Sequence, residues 1–178
     1  MSYSLQLYLT NIASIEAVID SKDQTKLTEI IEYDFSEDNS DGHEEFNLTV
    51  SEETKPALEC LVMGTQDSEL DPADYGYALE LIVASMGERL ETALFKETRY
   101  SYLEQVQYVL PLVERPMPFK LPEWEGYPSV GYMTNQECKE FEGNLNHPEP
   151  IVRAGRDEIF DWIAAAANEN ADLIGFWY

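Results

Sequence analysis

Apolar residues spaced like those of a strand sit at the two ends of this chain, and that placement limits its fold more than any other feature. Tyr3, Leu5, Leu7 and Leu9 fall on one side of an extended segment, with Ser4, Gln6 and Tyr8 on the other. The closing run Leu173-Ile174-Gly175-Phe176-Trp177-Tyr178 is rich in β-branched and aromatic residues and reads as a second strand. Buried strands must pair their main-chain groups, so the two ends are expected to meet. The prediction is an α+β fold, a small sheet including the N- and C-terminal strands, packed against about six helices. Two strands alone are marginal, so at least one more is expected from 46–50 or 88–97.

Helical spacing fills the interior. Asn11 is placed to cap a short helix with Ile12, Ile15 and Ile19 on one face. Ser21 and Gln24 have the spacing of a capping box before Leu27, Ile30 and Ile31. A third helix should begin near Ser51, bury Ala57, Leu58, Leu61 and Val62, and stop at Gly64. Asp71-Pro72 is an N-cap followed by proline at the first helical position, opening a helix with Ala78, Leu79, Ile82, Val83 and Met86 that ends at Gly87. A helix over 98–110 would bury Tyr102, Val106, Val109 and Leu110, with Pro111 as its stop. Thr134 and Glu137 form another capping box before Cys138, Phe141 and Leu145, and a last helix over 150–168 carries Ile159, Trp162, Ile163 and Ala166. Residues 114–133, with Pro116, Pro118, Pro122 and Pro128, read as an ordered, irregular crossing.

With 178 residues, 44% of them hydrophobic, the chain is expected to fold as one domain over 1–178. No stretch of about 18 apolar residues is present to span a bilayer. Its opening residues lack the basic and apolar regions of a secretory signal, and Cys60 and Cys138 read as separate buried thiols, so a cytoplasmic location is expected.

Charge narrows the choice of partner. The 35 acids against 11 Lys and Arg give a formal net charge of −24. Residues 1–89 hold 20 acids and 4 bases, and residues 90–178 hold 15 and 7. Such a chain repels phosphates, which argues against direct nucleic-acid binding and against anionic membranes. Its complement is a basic protein, drawn in by long-range attraction. The stretch from Leu27 to Thr54 holds ten acids and no Lys or Arg.

Motifs for catalysis or cofactor binding are missing. Glu37, Asn39, Asp41 and Gly42 imitate the first, third, fifth and sixth positions of a calcium loop, but Leu48 stands where the bidentate glutamate belongs. His43 and His147 lie in polar surroundings with no nucleophile signature beside them, and two Cys with two His at these spacings cannot build a zinc site. There is no glycine-rich phosphate loop and no Gly-x-Ser-x-Gly elbow. The expectation is a protein without enzymatic activity, without a cofactor and without a bound metal.

Two surfaces are candidates for recognition. One is the acidic segment with Glu37, Asp38, Asp41, Glu44 and Glu45, which otherwise is a solvated loop. The other is the proline-aromatic segment, where Trp124 and Tyr127 beside Glu123 and Glu125 offer rigid anchors with an acidic rim, unless those rings only cover the core. The expected function is a non-enzymatic interaction protein binding a basic partner, in the manner of an immunity or antitoxin-like inhibitor or a regulator. The alternative is a small-molecule or sensory binding domain with a pocket between the sheet and the 114–133 segment.

The segments Tyr3 to Asp20, Tyr75-Gly76-Tyr77-Ala78-Leu79, Pro128-Ser129-Val130-Gly131-Tyr132 and Leu173 to Tyr178 together resemble an uncharacterised bacterial group of domain-of-unknown-function proteins, some akin to the YfbM type. The resemblance implies a compact α+β protein and carries over no activity and no catalytic residue.

Overall fold

A computed structural model describes residues 4–35, 48–96, 99–124 and 126–178. The acidic residues Glu37, Asp38, Asp41, Glu44 and Glu45 lie outside the described residues, as does His43. The fold is α+β, as the two ends require. β1 (Leu5–Thr10), β2 (Glu88–Leu90), β3 (Ser129–Met133) and β4 (Asp172–Trp177) form one sheet in the order β2-β1-β4-β3. β4 runs antiparallel to both neighbours, pairing Leu7 with Gly175 and Gly175 with Gly131. The extra strand expected from 46–50 or 88–97 is found at 88–90.

Eight α-helices are present among the described residues. The chain forms two compact units, one made of 1–11, 89–118 and 129–178, the other of 12–88 and 119–128. The first is the sheet unit. Its helices are α5 (Tyr100–Val106), α6 (Pro111–Glu114), α7 (Asn135–Lys139) and α8 (Pro150–Glu169). The second is the helical unit, with α1 (Ile12–Val18), α2 (Gln24–Ile31), α3 (Thr54–Met63) and α4 (Pro72–Met86).

In the sheet unit, α8 buries Val152, Gly155, Arg156, Ile159, Trp162, Ile163 and Ala166, a stripe at three- and four-residue spacing. That stripe joins Leu5, Leu7, Leu9, Phe95, Leu103, Leu112 and Trp177 in one core. Trp162 donates its indole N–H to Glu91 O at 3.0 Å, and Asn170, left-handed at φ 57°, closes the helix onto Ala166 O. In the helical unit, α3 and α4 pack along their lengths and α2 adds Leu27 and Ile30 to the buried set. Asp71 caps α4 through Ala73 N–H at 3.0 Å, with Pro72 in the first turn. Just before α3 the Ser51 hydroxyl accepts from Thr54 N–H at 3.1 Å, and Gly64 ends that helix at φ 67°.

Several local expectations are corrected. The α2 cap is Asp23, whose carboxylate accepts from Thr25 and Lys26 N–H, whereas Ser21 accepts only from Asp23 N–H. The reason is tertiary. Asp20 and Lys22, both left-handed, donate their main-chain N–H groups to Leu61 O and Val62 O at the end of α3, so the helix cannot begin before Gln24. The helix expected over 98–110 ends at Val106, where Gln107 turns to φ 67°, and Pro111 opens α6 instead of stopping α5. The capping box of Thr134 and Glu137 is present, but α7 stops at Lys139, beyond which Leu145 is exposed. Met86 is also exposed.

The proline-aromatic segment is not irregular throughout, because its end, Ser129–Met133, is the edge strand β3. Gly131 obscures it in the sequence, since a glycine weakens the strand signal and leaves the face opposite Val130 and Tyr132 without a side chain at that position.

Candidate functional site

Three features of the helical unit invite a functional reading. The first is a cleft of about 370 Å³, lined by Ile19 and Asp20, by Cys60, Leu61 and Gly64 at the end of α3, by Thr65 and Gln66, and by Lys120, Leu121 and Pro122. Its shape follows from two turns. Asp20 is held at φ 56° by its bond to Leu61 O at 2.8 Å. Gly64 is left-handed, and its Cα faces the Asp20 carboxylate so closely that any Cβ would collide with it. One end of the cleft is therefore two backbone turns locked together. Residues 120–122 belong to the 114–133 segment expected to cover a pocket against the sheet, but the facing walls are the ends of α1 and α3, and no described strand residue lines the cleft.

Cys60 is half-buried in that cleft, and Tyr75 lies beside it. The Tyr75 hydroxyl accepts from Asp67 N–H at 3.2 Å, and burial pushes its pKa above the ordinary phenol value. Cys138, in the sheet unit, is a different kind of thiol. It is buried in the core, where desolvation, with Asp172 and Glu137 nearby, pushes it up to about 11. Both cysteines are free. At neutral pH the Cys138 thiolate is negligible, so reagents that need a thiolate meet Cys60 first.

The second feature is the segment carrying Trp124 and Tyr127. Trp124 donates its indole N–H to Pro128 O at 2.8 Å, and its ring lies with the Pro128 ring over Gly76 of α4. A Cβ at Gly76 would come within 2.9 Å of Pro128 and 3.2 Å of Trp124, so glycine is required by close approach. Trp124 thus fastens its own loop to α4. Tyr127 exposes 41% of its surface.

The third is charge. The segments of the helical unit carry 22 acids against 4 Lys and Arg, a net −18, while those of the sheet unit carry 13 against 7, a net −6. Three-quarters of the net charge therefore belongs to about half of the residues. The division into sequence halves understates this, because Arg89 belongs to the sheet unit and 119–128 brings Glu123 and Glu125 with only Lys120 to the helical unit.

His147 accepts from Glu149 N–H at 3.2 Å and holds a turn before α8. No three His, Cys, Asp or Glu side chains gather as metal ligands among the described residues, and none of their helices is long and apolar enough to cross a membrane. Sequence reasoning missed the cleft, since its walls come from three separate segments and no local motif marks them.

No curated protein and no solved structure matches the chain. Over residues 1–178 it matches the model of a domain of unknown function, DUF7691, and the chain belongs to that family.

Proposed function

We propose that this protein is a non-enzymatic, cytoplasmic interaction module that binds a basic protein, as an immunity or antitoxin-like inhibitor or a regulator would. The observation that carries the reading is the net −18 of the helical unit beside −6 in the sheet unit. A field of one sign concentrated in one part of a protein steers an oppositely charged partner and raises its association rate, most strongly at low salt. Acidity serving only solubility would give no reason for this imbalance. Glu37, Asp38, Asp41, Glu44 and Glu45 supply steering charge in this reading, and Tyr127 or Trp124 supplies contact energy. The kinship with YfbM-type proteins belongs to the same reading and adds no activity.

The test compares two charge reversals of equal size by stopped-flow association with each basic protein recovered from native extract. Glu37, Asp38, Asp41, Glu44 and Glu45 are changed to Lys in one variant. Exposed Glu104, Glu142, Asp157, Asp161 and Glu169 of the sheet unit are changed in the other. Slowing by about tenfold or more at low salt in the first variant alone supports local steering. Equal slowing in both reduces the effect to total charge and overturns the reading.

A second reading, a small-molecule or sensory binding domain, is favoured by the cleft of about 370 Å³, which falls within the size range of ligand sites. A ligand-dependent rise in melting temperature across a metabolite panel tests it.

A further inference from the structure

Asp20 and Lys120 both line the cleft of the helical unit, and they come from different segments of it. They do not meet each other, and neither is spent on an ion pair with another described residue. The rest of the lining sets apolar Ile19, Leu61, Leu121 and Pro122 beside Cys60, Gly64, Thr65 and Gln66. Two opposite charges without ion-pair partners among the described residues, at the rim of a cleft with an apolar wall, complement a molecule with its own two charges and an apolar body. A simple cation would suit Asp20 and be opposed by Lys120; a simple anion would suit Lys120 and be opposed by Asp20. Asp20 is also held in a left-handed conformation, sparsely populated for residues other than glycine, by its bond to Leu61 O, so its position is fixed before any ligand arrives.

We propose that this cleft binds a small zwitterion with an apolar body, an apolar α-amino acid being the simplest, with its ammonium toward Asp20 and its carboxylate toward Lys120. The inference rests on the second reading above and names the ligand class of that site.

Cys60 supplies the readout, since it lines the cleft while Cys138 is buried in the other unit's core. The full chain is labelled with iodoacetamide under pseudo-first-order conditions, alone and with phenylalanine, phenethylamine or 3-phenylpropionate. These probes share one apolar body and differ only in charge. An occupant slows labelling by the factor 1 + [L]/Kd, so about elevenfold at ten times Kd. Protection by phenylalanine, lost in Asp20→Asn and in Lys120→Met, is the expected result. Asn tolerates left-handed backbone as well as Asp does, so Asp20→Asn keeps the turn, and an unchanged circular-dichroism melt confirms it. Protection by phenethylamine or 3-phenylpropionate equal to that by phenylalanine overturns the zwitterion assignment and leaves a small-molecule site standing. Absence of protection by all three, together with no melting shift across the metabolite panel, overturns both.

Discussion

Gly131 on β3 and Gly175 on β4 stand opposite each other, and the main chain of α6 lies directly on the bare patch they make. A Cβ at Gly131 would meet Leu112 C and Val113 N at 2.6 Å, and one at Gly175 would press on Leu112 O. Both collisions are with backbone, which cannot swing aside as a side chain can. Gly131→Ala and Gly175→Ala are each expected to cost about 1–3 kcal/mol. Because both push on the same turn of α6, the double variant should cost less than the sum. Urea denaturation of the three variants checks this, and full additivity would show that the glycines act separately.

Thr134, Glu137 and Arg115 form a clasp at the start of α7. Glu137 accepts from Thr134 N–H at 2.9 Å and from the Thr134 hydroxyl at 2.8 Å, and Arg115 grips both its oxygens at 2.7 and 2.8 Å. The guanidinium also lies 4.2 Å from the Tyr132 ring centre. Partial burial pushes the Glu137 carboxyl up, but the Thr134 and Arg115 hydrogen bonds outweigh it and hold the pKa below the ordinary glutamate value. A carboxyl depressed in the folded state stabilises above its unfolded pKa and loses that stabilisation as pH falls through the folded value. Glu137→Gln should therefore cost about 1 kcal/mol at neutral pH, and the difference from wild type should shrink as pH drops below the glutamate range. Melting curves from neutral to acid pH test the sign.

Much of the fold is legible locally, and what is not has a tertiary cause. Asp71-Pro72, Gly64 and the Thr134–Glu137 box act as read because each satisfies helix-end groups within its own turn. Asp23 displaced Ser21 as a cap only because Asp20 and Lys22 are bonded to α3. Pro111 reads as a stop, but the same residue also begins helices, and the left-handed Gln107 ahead of it has already ended α5. β3 was hidden by Gly131, whose lack of a side chain serves α6 and not the strand. The charge excess and its lean toward the first half are plain in the sequence, and assigning Arg89 and 119–128 to their units sharpens the imbalance from −16 against −8 to −18 against −6.

Glu158 on α8 accepts from Leu94 N–H at 3.0 Å, where burial, opposed by the N–H groups of Leu94 and Ala93, raises its pKa. A carboxyl raised in the folded state is destabilising once ionised in both states, so its penalty grows as pH rises through the folded value and disappears in acid. Glu158→Gln keeps an acceptor for Leu94 and removes the charge. It should raise stability at neutral pH by about 0.5 kcal/mol, or about 1–2 °C in Tm. The gain should vanish below the glutamate range, and a gain independent of pH would contradict this account.

Arg156 is buried in α8, and its guanidinium donates to Asn144 O at 2.9 Å, Asn146 O at 3.0 Å and Gln105 O at 3.4 Å, near the face of Tyr108. It ties the 140–149 segment and the end of α5 to α8. Arg156→Met keeps the stem and leaves three carbonyls without this donor, an expected loss of about 3 kcal/mol or more. Lysine cannot reproduce the fork, so Arg156→Lys should recover only part of that loss. Hydrogen exchange should show increased exchange in 140–149 before the rest of the sheet unit.

Trp124 and Tyr127 separate loop stability from partner contact. Trp124 is committed to Pro128 O, so Trp124→Phe removes that donor and should cost about 1 kcal/mol in stability. Gly76→Ala, pressing on both rings from α4, should cost about as much or more. Neither change removes exposed aromatic surface of the kind Tyr127 presents at 41% exposure. Tyr127→Ala should weaken association with a basic partner by about tenfold, equal to 1.4 kcal/mol. The two readouts are a thermal melt and a dissociation rate measured on the same variants. If Trp124→Phe speeds dissociation as much as Tyr127→Ala while leaving the melt unmoved, the indole faces the partner and the Pro128 bond is incidental. If it lowers the melt and leaves dissociation alone, the contact role belongs to Tyr127.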